Sequence, residues 1–167
     1  MTLFAWLLAA LSLQAQPSAA QIRAAAFDIM RAARYCTLIT VDTDGVPQAR
    51  IVDPRIAEGE GSIWIATNPL TRKVKEIEKN PRVVLTFFNQ PSDEYVTVHA
   101  TARVVMDTAR KAAHWKPEWR AFYKDETRGA DFMLFELRPV RFEVSSARHK
   151  LNNDPTSWRP VILDVGK

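Results

Sequence analysis

The chain is poor in the residues that would declare its chemistry outright. Only one of its 167 residues, Cys36, is cysteine, so neither an intrachain disulfide nor a cysteine-based zinc site can form. An apolar, strand-like setting predicts that this thiol is buried and inert. Of the three histidines, His114 and His149 have no carboxylate or second histidine at ligand spacing, which argues against a bound metal. There is no internal repeat, no low-complexity tract and no set of residues that would make a catalytic triad. Block charge is missing too: 23 Lys and Arg are scattered among 19 Asp and Glu, for a net charge of +4 and a pI near 9.4. That scatter argues against a nucleic-acid partner and fits a phosphate-bearing small molecule better than a polymer.

What is present is ample apolar material. At 47% hydrophobic and 25% charged, the chain is long enough for one globular domain with a real core. Residues 3–13, LFAWLLAALSL, are an uncharged apolar run too short to span a bilayer comfortably, and small and polar residues follow through Ala20. Residues 1–20 therefore read as a signal peptide, although no Lys or Arg precedes the apolar run. The domain then covers 21–146, and 147–167 is a C-terminal tail able to wrap across a partner. With a real signal the protein is exported or periplasmic and free of the membrane after cleavage. If the segment is an amphipathic extension instead, the protein is cytoplasmic.

Along the chain, Ile22, Ala26, Ile29 and Ala33 are spaced for an amphipathic helix over 17–34 that covers one end of a barrel. Two β-rich runs, 35–41 and 47–52, flank Asp44-Gly45, a strong hairpin signal. Further strands are expected at 62–67, at 82–89 (apolar enough to be buried on both faces), and at 95–106 as its partner. Two more are expected at 131–137 and 140–145, joined at Arg138-Pro139. Asp107 reads as the cap of a short helix, and Trp115, Trp119, Phe122 and Tyr123 give the segment after it an aromatic face, either local core or a lid or dimer contact. His99 reads as a structural histidine, and Asp93-Glu94 as a solvated turn. The sum is a mostly β antiparallel barrel of about six strands in meander order, with short helices.

The stretch 63–84 breaks a local electrostatic rule. Asn68 reads as an N-cap and Pro69 as the first helical residue, with Leu70, Val74 and Ile77 on one buried stripe. The first turn of that helix holds Thr71, Arg72 and Lys73 and no carboxylate, although a helix start favours negative charge. An anion explains this if amides, the Thr71 hydroxyl, a guanidinium and an ammonium converge on one phosphate. The competing reading pairs Arg72 with Glu76 one turn on and leaves Lys73 in water.

Arg50-Ile51-Val52, Ala66-Thr67-Asn68, Thr71-Arg72-Lys73 and Asn80-Pro81-Arg82-Val83, in this order, resemble the FMN-binding half of the pyridoxamine 5′-phosphate oxidase family. The hairpin 43–47 and the run 139–143 are similar to that family and to its general stress protein 26 branch. The resemblance covers roughly residues 20–145 and implies an FMN-binding split β-barrel homodimer with the flavin between subunits. It implies that Arg50 and Arg55 reach the flavin or its phosphate, that Thr67 and Asn68 lie at the strand end beside the ring, and that Thr71, Arg72 and Lys73 hold the phosphate. The leading expectation is an FMN-dependent oxidoreductase acting on a small, planar molecule. Rivals are a non-catalytic flavin carrier or sensor and a relative that takes F420 or haem in the same barrel. Tyr95 and Val96, and a C-terminus without the oxidase's tryptophan and Arg-Leu-His run, point away from pyridoxamine phosphate as substrate.

Overall fold

A computed structural model describes residues 16–56, 59, 61–124 and 130–165. Ser18 opens the first helix, α1 (Ala19–Ala33): its hydroxyl accepts from the Gln21 amide, and the Gln21 side chain accepts from the Ser18 amide. This reciprocal cap satisfies two donors that a helix start leaves unpaired. Ile22, Ala25, Ala26, Phe27, Ile29 and Met30 turn inward from it. Residues 1–15 of the expected signal segment lie outside the described residues, while 18–20 are the cap and first turn of α1.

The strands follow as β1 (Cys36–Val41), β2 (Pro47–Val52), β3 (Arg55–Ile56) and β4 (Ile63–Thr67), then helix α2 (Arg72–Lys79). After it come β5 (Arg82–Asn89), β6 (Glu94–Val105), helix α3 (Thr108–Ala113), β7 (Met133–Ser145) and β8 (Val161–Asp164). They form one sheet of eight strands in the order β2-β1-β5-β6-β7-β4-β3, with β8 also on β7, and each pairing is antiparallel. The β1–β2 hairpin closes as expected: the Asp42 carboxylate accepts the amides of Asp44 and Val46, and Gly45 takes a φ of 84°.

The sheet order forces curvature. β2 and β3 are the two ends of the order, yet only Asp53 and Pro54 separate them in the chain. Three consecutive Cα steps reach at most about 11 Å, so the sheet must curl until its ends are close. The fold is therefore the split, mostly β barrel expected from the sequence. Its inner face carries Leu38, Leu85, Phe87, Val98 and Phe142, against which α1 packs. Each such side chain contributes roughly 1.5–3 kcal/mol of burial. A second core of Trp64, Val105, Trp119, Phe132 and Leu134 lies beside α3, with Trp115 and Tyr123 against it. The aromatic face of this segment is thus local core, with only Phe122 of the four left in solvent.

Several local expectations are corrected. The strands do not run in meander order, since β4 lies beyond β7, and the short β3 and β8 were not foreseen. Residues 133–145 are one strand, because Pro139 sits at a bulge opposite Ala100, in the gap between the β7 residues that pair β4 and those that pair β8. A missing amide costs least there. β5 alternates buried and partly exposed residues and is not buried on both faces. Glu94 is fully buried: Ser146 donates to it, and Arg148 bonds it and also pairs with Asp28 of α1. The segment after 146 returns to its own barrel, with Leu151 bridged to Ser146 and 161–164 forming β8.

Candidate functional site

α2 starts three residues later than its sequence suggests. Asn68 folds a tight turn, its side chain accepting the Leu70 amide and its carbonyl the Thr71 amide, so Thr71 becomes the N-cap. Leu70 is then 93% exposed, and only Val74 and Ile77 of the expected stripe are buried. The result is a polar corner between the end of β4 and the start of α2. Thr67, 2% exposed, shares a hydrogen bond of 2.9 Å with the Thr71 hydroxyl. The Lys73 ammonium donates to both hydroxyls, at 2.8 and 3.1 Å. The amides of Arg72 and Lys73, in the first helical turn, have no partner within the helix.

Lys73 is half-buried, and burial is the main cause holding its pKa below the ordinary lysine value. The nearby charge of Arg50 acts the same way, Glu76 opposes, and Arg72 adds a smaller push downward. A cation so placed, bonded to hydroxyls and to no carboxylate, can accept an anion at little rearrangement. Arg72 and Arg50 are placed differently. Arg72 reaches back to Glu76 at 3.6 Å but keeps 65% of its side chain in solvent. Arg50 bonds the buried Glu76 at 2.7 Å and also donates to Thr40, whose hydroxyl bonds the same carboxylate. Glu76 therefore neutralises Arg50 and borders the corner without touching Lys73.

The structure thus brings Arg50, Thr67, Asn68, Thr71, Arg72 and Lys73 into one region. Arg55 stands apart from it. On β3, its Nη1 lies 2.7 Å from Nδ1 of His114, whose ring stacks on Trp64 at 3.5 Å. Arg55 lines a recess of about 240 Å³ together with Arg31, Arg34, Lys116, Glu118 and Pro54. Lys116 is neutralised by Asp53. Arg34 ends α1 with a φ of 62°, a costly backbone for a non-glycine residue, and its guanidinium lies over the Tyr35 ring. Burial pushes the Cys36 thiol well above its usual range, in keeping with an inert role. Among the described residues no group of acids, histidines and cysteines is arranged to hold a metal.

The family model described as pyridoxamine 5′-phosphate oxidase matches residues 22–146, most of the chain. The chain belongs to that family. A pyridoxine/pyridoxamine 5′-phosphate oxidase from Bordetella petrii is 39% identical over 69 residues, 41% of this chain and 32% of that protein. The chain spans about a third of the length of the curated relatives it matches.

Among solved structures, a protein related to general stress protein 26 from Clostridium acetobutylicum aligns with a TM-score of 0.72 at 14% identity. The alignment covers 89% of this chain and 97% of that one. A pyridoxamine 5′-phosphate oxidase-related, FMN-binding protein from Nostoc punctiforme gives 0.58 at 17% identity, over 86% and 95%. A haem-binding protein from Mycobacterium smegmatis gives 0.65 at 18% identity, over 89% and 59%. These structural likenesses concern the fold alone.

Within this family member, sequence reasoning missed Glu76 and Thr40 as the groups that fix Arg50, and His114 as the partner of Arg55. The signal for Glu76 was faint but present: it is the carboxylate one turn beyond Arg72 on a helix whose Val74 and Ile77 face inward. Nothing local marked His114, because its partner is 59 residues away.

Proposed function

We propose that this protein is an FMN-dependent oxidoreductase acting on a small anionic molecule. In this reading Thr67, Thr71, Arg72 and Lys73 hold the flavin phosphate, with the free amides of the first turn of α2. Asn68 sets the turn that aligns them, and Arg50, fixed by Glu76 and Thr40, borders the flavin. The observation that carries the reading is the half-buried Lys73 ammonium, bonded only to hydroxyls in a first helical turn that holds no acid. When bound, the flavin ring supplies the hydride and electron transfer, and the chain's own residues bind, orient and exclude water. Arg55 lines a basic recess that none of the α2-corner residues lines, which supports an anionic group on the substrate with Arg55 on that side.

A haem in the barrel is less favoured. His99 bonds Glu143, His149 bonds Asp28, and His114 is taken up by Arg55 and Trp64, all away from Lys73. The reading extends to a homodimer. On the outer face of the sheet, Ile51 is 68% and Phe88 53% exposed, and Ala49, Ile39 and Val84 form a cross-strand row nearby. Light scattering with a monomer mass at micromolar concentration would remove this part of the reading.

The test of the cofactor is a comparison of FMN with riboflavin, which share the ring and differ in the phosphate. Tight FMN binding with weak riboflavin binding supports the site, and equal affinities overturn it. The absorbance of the purified protein separates oxidised flavin from F420 and from a haem Soret band. Bound FMN with no turnover of NADH or NADPH in the presence of an acceptor would make the protein a carrier rather than an enzyme.

A further inference from the structure

We propose that His114 is a positioning residue that aims Arg55 into the basic recess. This rests on the reading of that recess as the seat of an anionic group. A guanidinium only donates hydrogen bonds, so at 2.7 Å from Arg55 Nη1 the Nδ1 atom of His114 must be the acceptor. The imidazole is therefore neutral, with its proton on Nε2. Its plane is fixed as well: the ring lies 3.5 Å from the Trp64 ring at 12°, Trp64 is fully buried, and the His114 amide bonds the Arg110 carbonyl. A rigid, uncharged acceptor orients the guanidinium without neutralising it. The contrast with Lys116 in the same recess, paired to Asp53, is direct. Had a carboxylate held Arg55, its charge would be spent; held by a neutral nitrogen, it keeps both its charge and its remaining donors for a ligand.

The experiment titrates inorganic phosphate calorimetrically into the full chain carrying Arg72→Ala and Lys73→Ala, so that the α2 corner contributes nothing. In that background Arg55→Ala is expected to abolish binding. His114→Phe keeps an aromatic ring on Trp64 but lacks the acceptor, and is expected to weaken phosphate about tenfold, the scale of one charge-assisted bond. His114→Asn, whose side-chain oxygen stands where Nδ1 was, is expected to recover most of the loss. Nitrogen NMR of the unsubstituted protein should show His114 unprotonated at Nδ1, with that signal moving in Arg55→Ala. If Arg55→Ala binds phosphate normally, the recess reading fails. If Arg55→Ala loses binding while His114→Phe does not, the positioning role alone is overturned. A proton on Nδ1, or a signal indifferent to Arg55, overturns it too, whether or not His114→Phe folds.

Discussion

Two corners of this barrel gather cations, and they do so to opposite ends. Around Glu136, only 3% exposed, Arg103, Arg110 and Arg138 converge on one carboxylate that also accepts from Ser62. At the start of α2, Lys73 has two threonine hydroxyls and no bonded acid. The Glu136 group is a finished structural knot, since each oxygen of its buried charge is occupied and the surplus arginines reach water. The α2 corner is unfinished, with desolvation already imposed on the ammonium and nothing of opposite sign bonded to it. A count of basic residues does not tell the corners apart, since Arg50, Arg72 and Lys73 gather at one and Arg103, Arg110 and Arg138 at the other. Following where each charge finds its partner does.

The largest expected effect separates the corners by ligand. Arg72→Ala with Lys73→Ala should cost FMN about two to four decades in affinity, at roughly 1.5–3 kcal/mol per charge-assisted contact, while leaving thermal stability nearly unchanged. Fluorescence titration with FMN measures it, and an unchanged affinity would make the α2 corner as structural as the other. Next, Trp64→Ala removes the indole that lies under Arg110 and against His114, and should lose about 3–5 kcal/mol of stability in a denaturant titration. FMN binding should survive in the fraction that folds.

Glu136→Gln should cost about 1–3 kcal/mol of stability and nothing in FMN affinity, the mirror image of the double substitution. Its pH signature has a defined sign. Burial pushes Glu136 up but is outweighed by hydrogen bonds from Arg103, Arg138 and Ser62. The bond from Arg148 is the main cause keeping Glu94 low. Both folded values thus fall below the ordinary 4.5, so their stabilisation is complete above that pH and fades as pH drops through the lower folded values. An acid titration of Glu136→Gln should show a shallower loss than the parent. Smallest of all, Arg138→Ala, with 60% of its side chain in water, should change stability by less than about 1 kcal/mol. A larger loss would show that the Glu136 knot depends on all three arginines.

The elements that could be read from the sequence are those whose cause is local. Asp42, Asp44 and Gly45 carry the whole hairpin turn, Asp107 caps α3 by accepting the Arg110 amide, and the inward stripe of α1 follows from spacing. What could not be read depends on partners far along the chain. Glu76 is buried by Arg50, 26 residues away, and Glu94 by Arg148, 54 away, so both look like solvated acids when read locally. Pro69 misplaced the start of α2, since the preference of proline for a first helical turn and for a tight turn are the same preference for φ. Pro139 suggested a break in β7 because its exemption arises from strand order. The polar corner at Thr71 and Lys73 was legible as a helix start without an acid, yet the placing of Arg55 beside His114 and away from Lys73 needed three dimensions.

The two-residue join between β2 and β3 behaves as a buckle on the curled sheet. Asp53 is fastened twice, by Lys116 to its carboxylate and by the Trp119 indole to its carbonyl, so the clasp is pinned from the aromatic side. The length of this join limits how far the two ends of the sheet can part. Adding one or two residues between Val52 and Arg55 would slacken the seam and let Arg50 and Arg55 drift apart, with the two ends of the sheet that carry them.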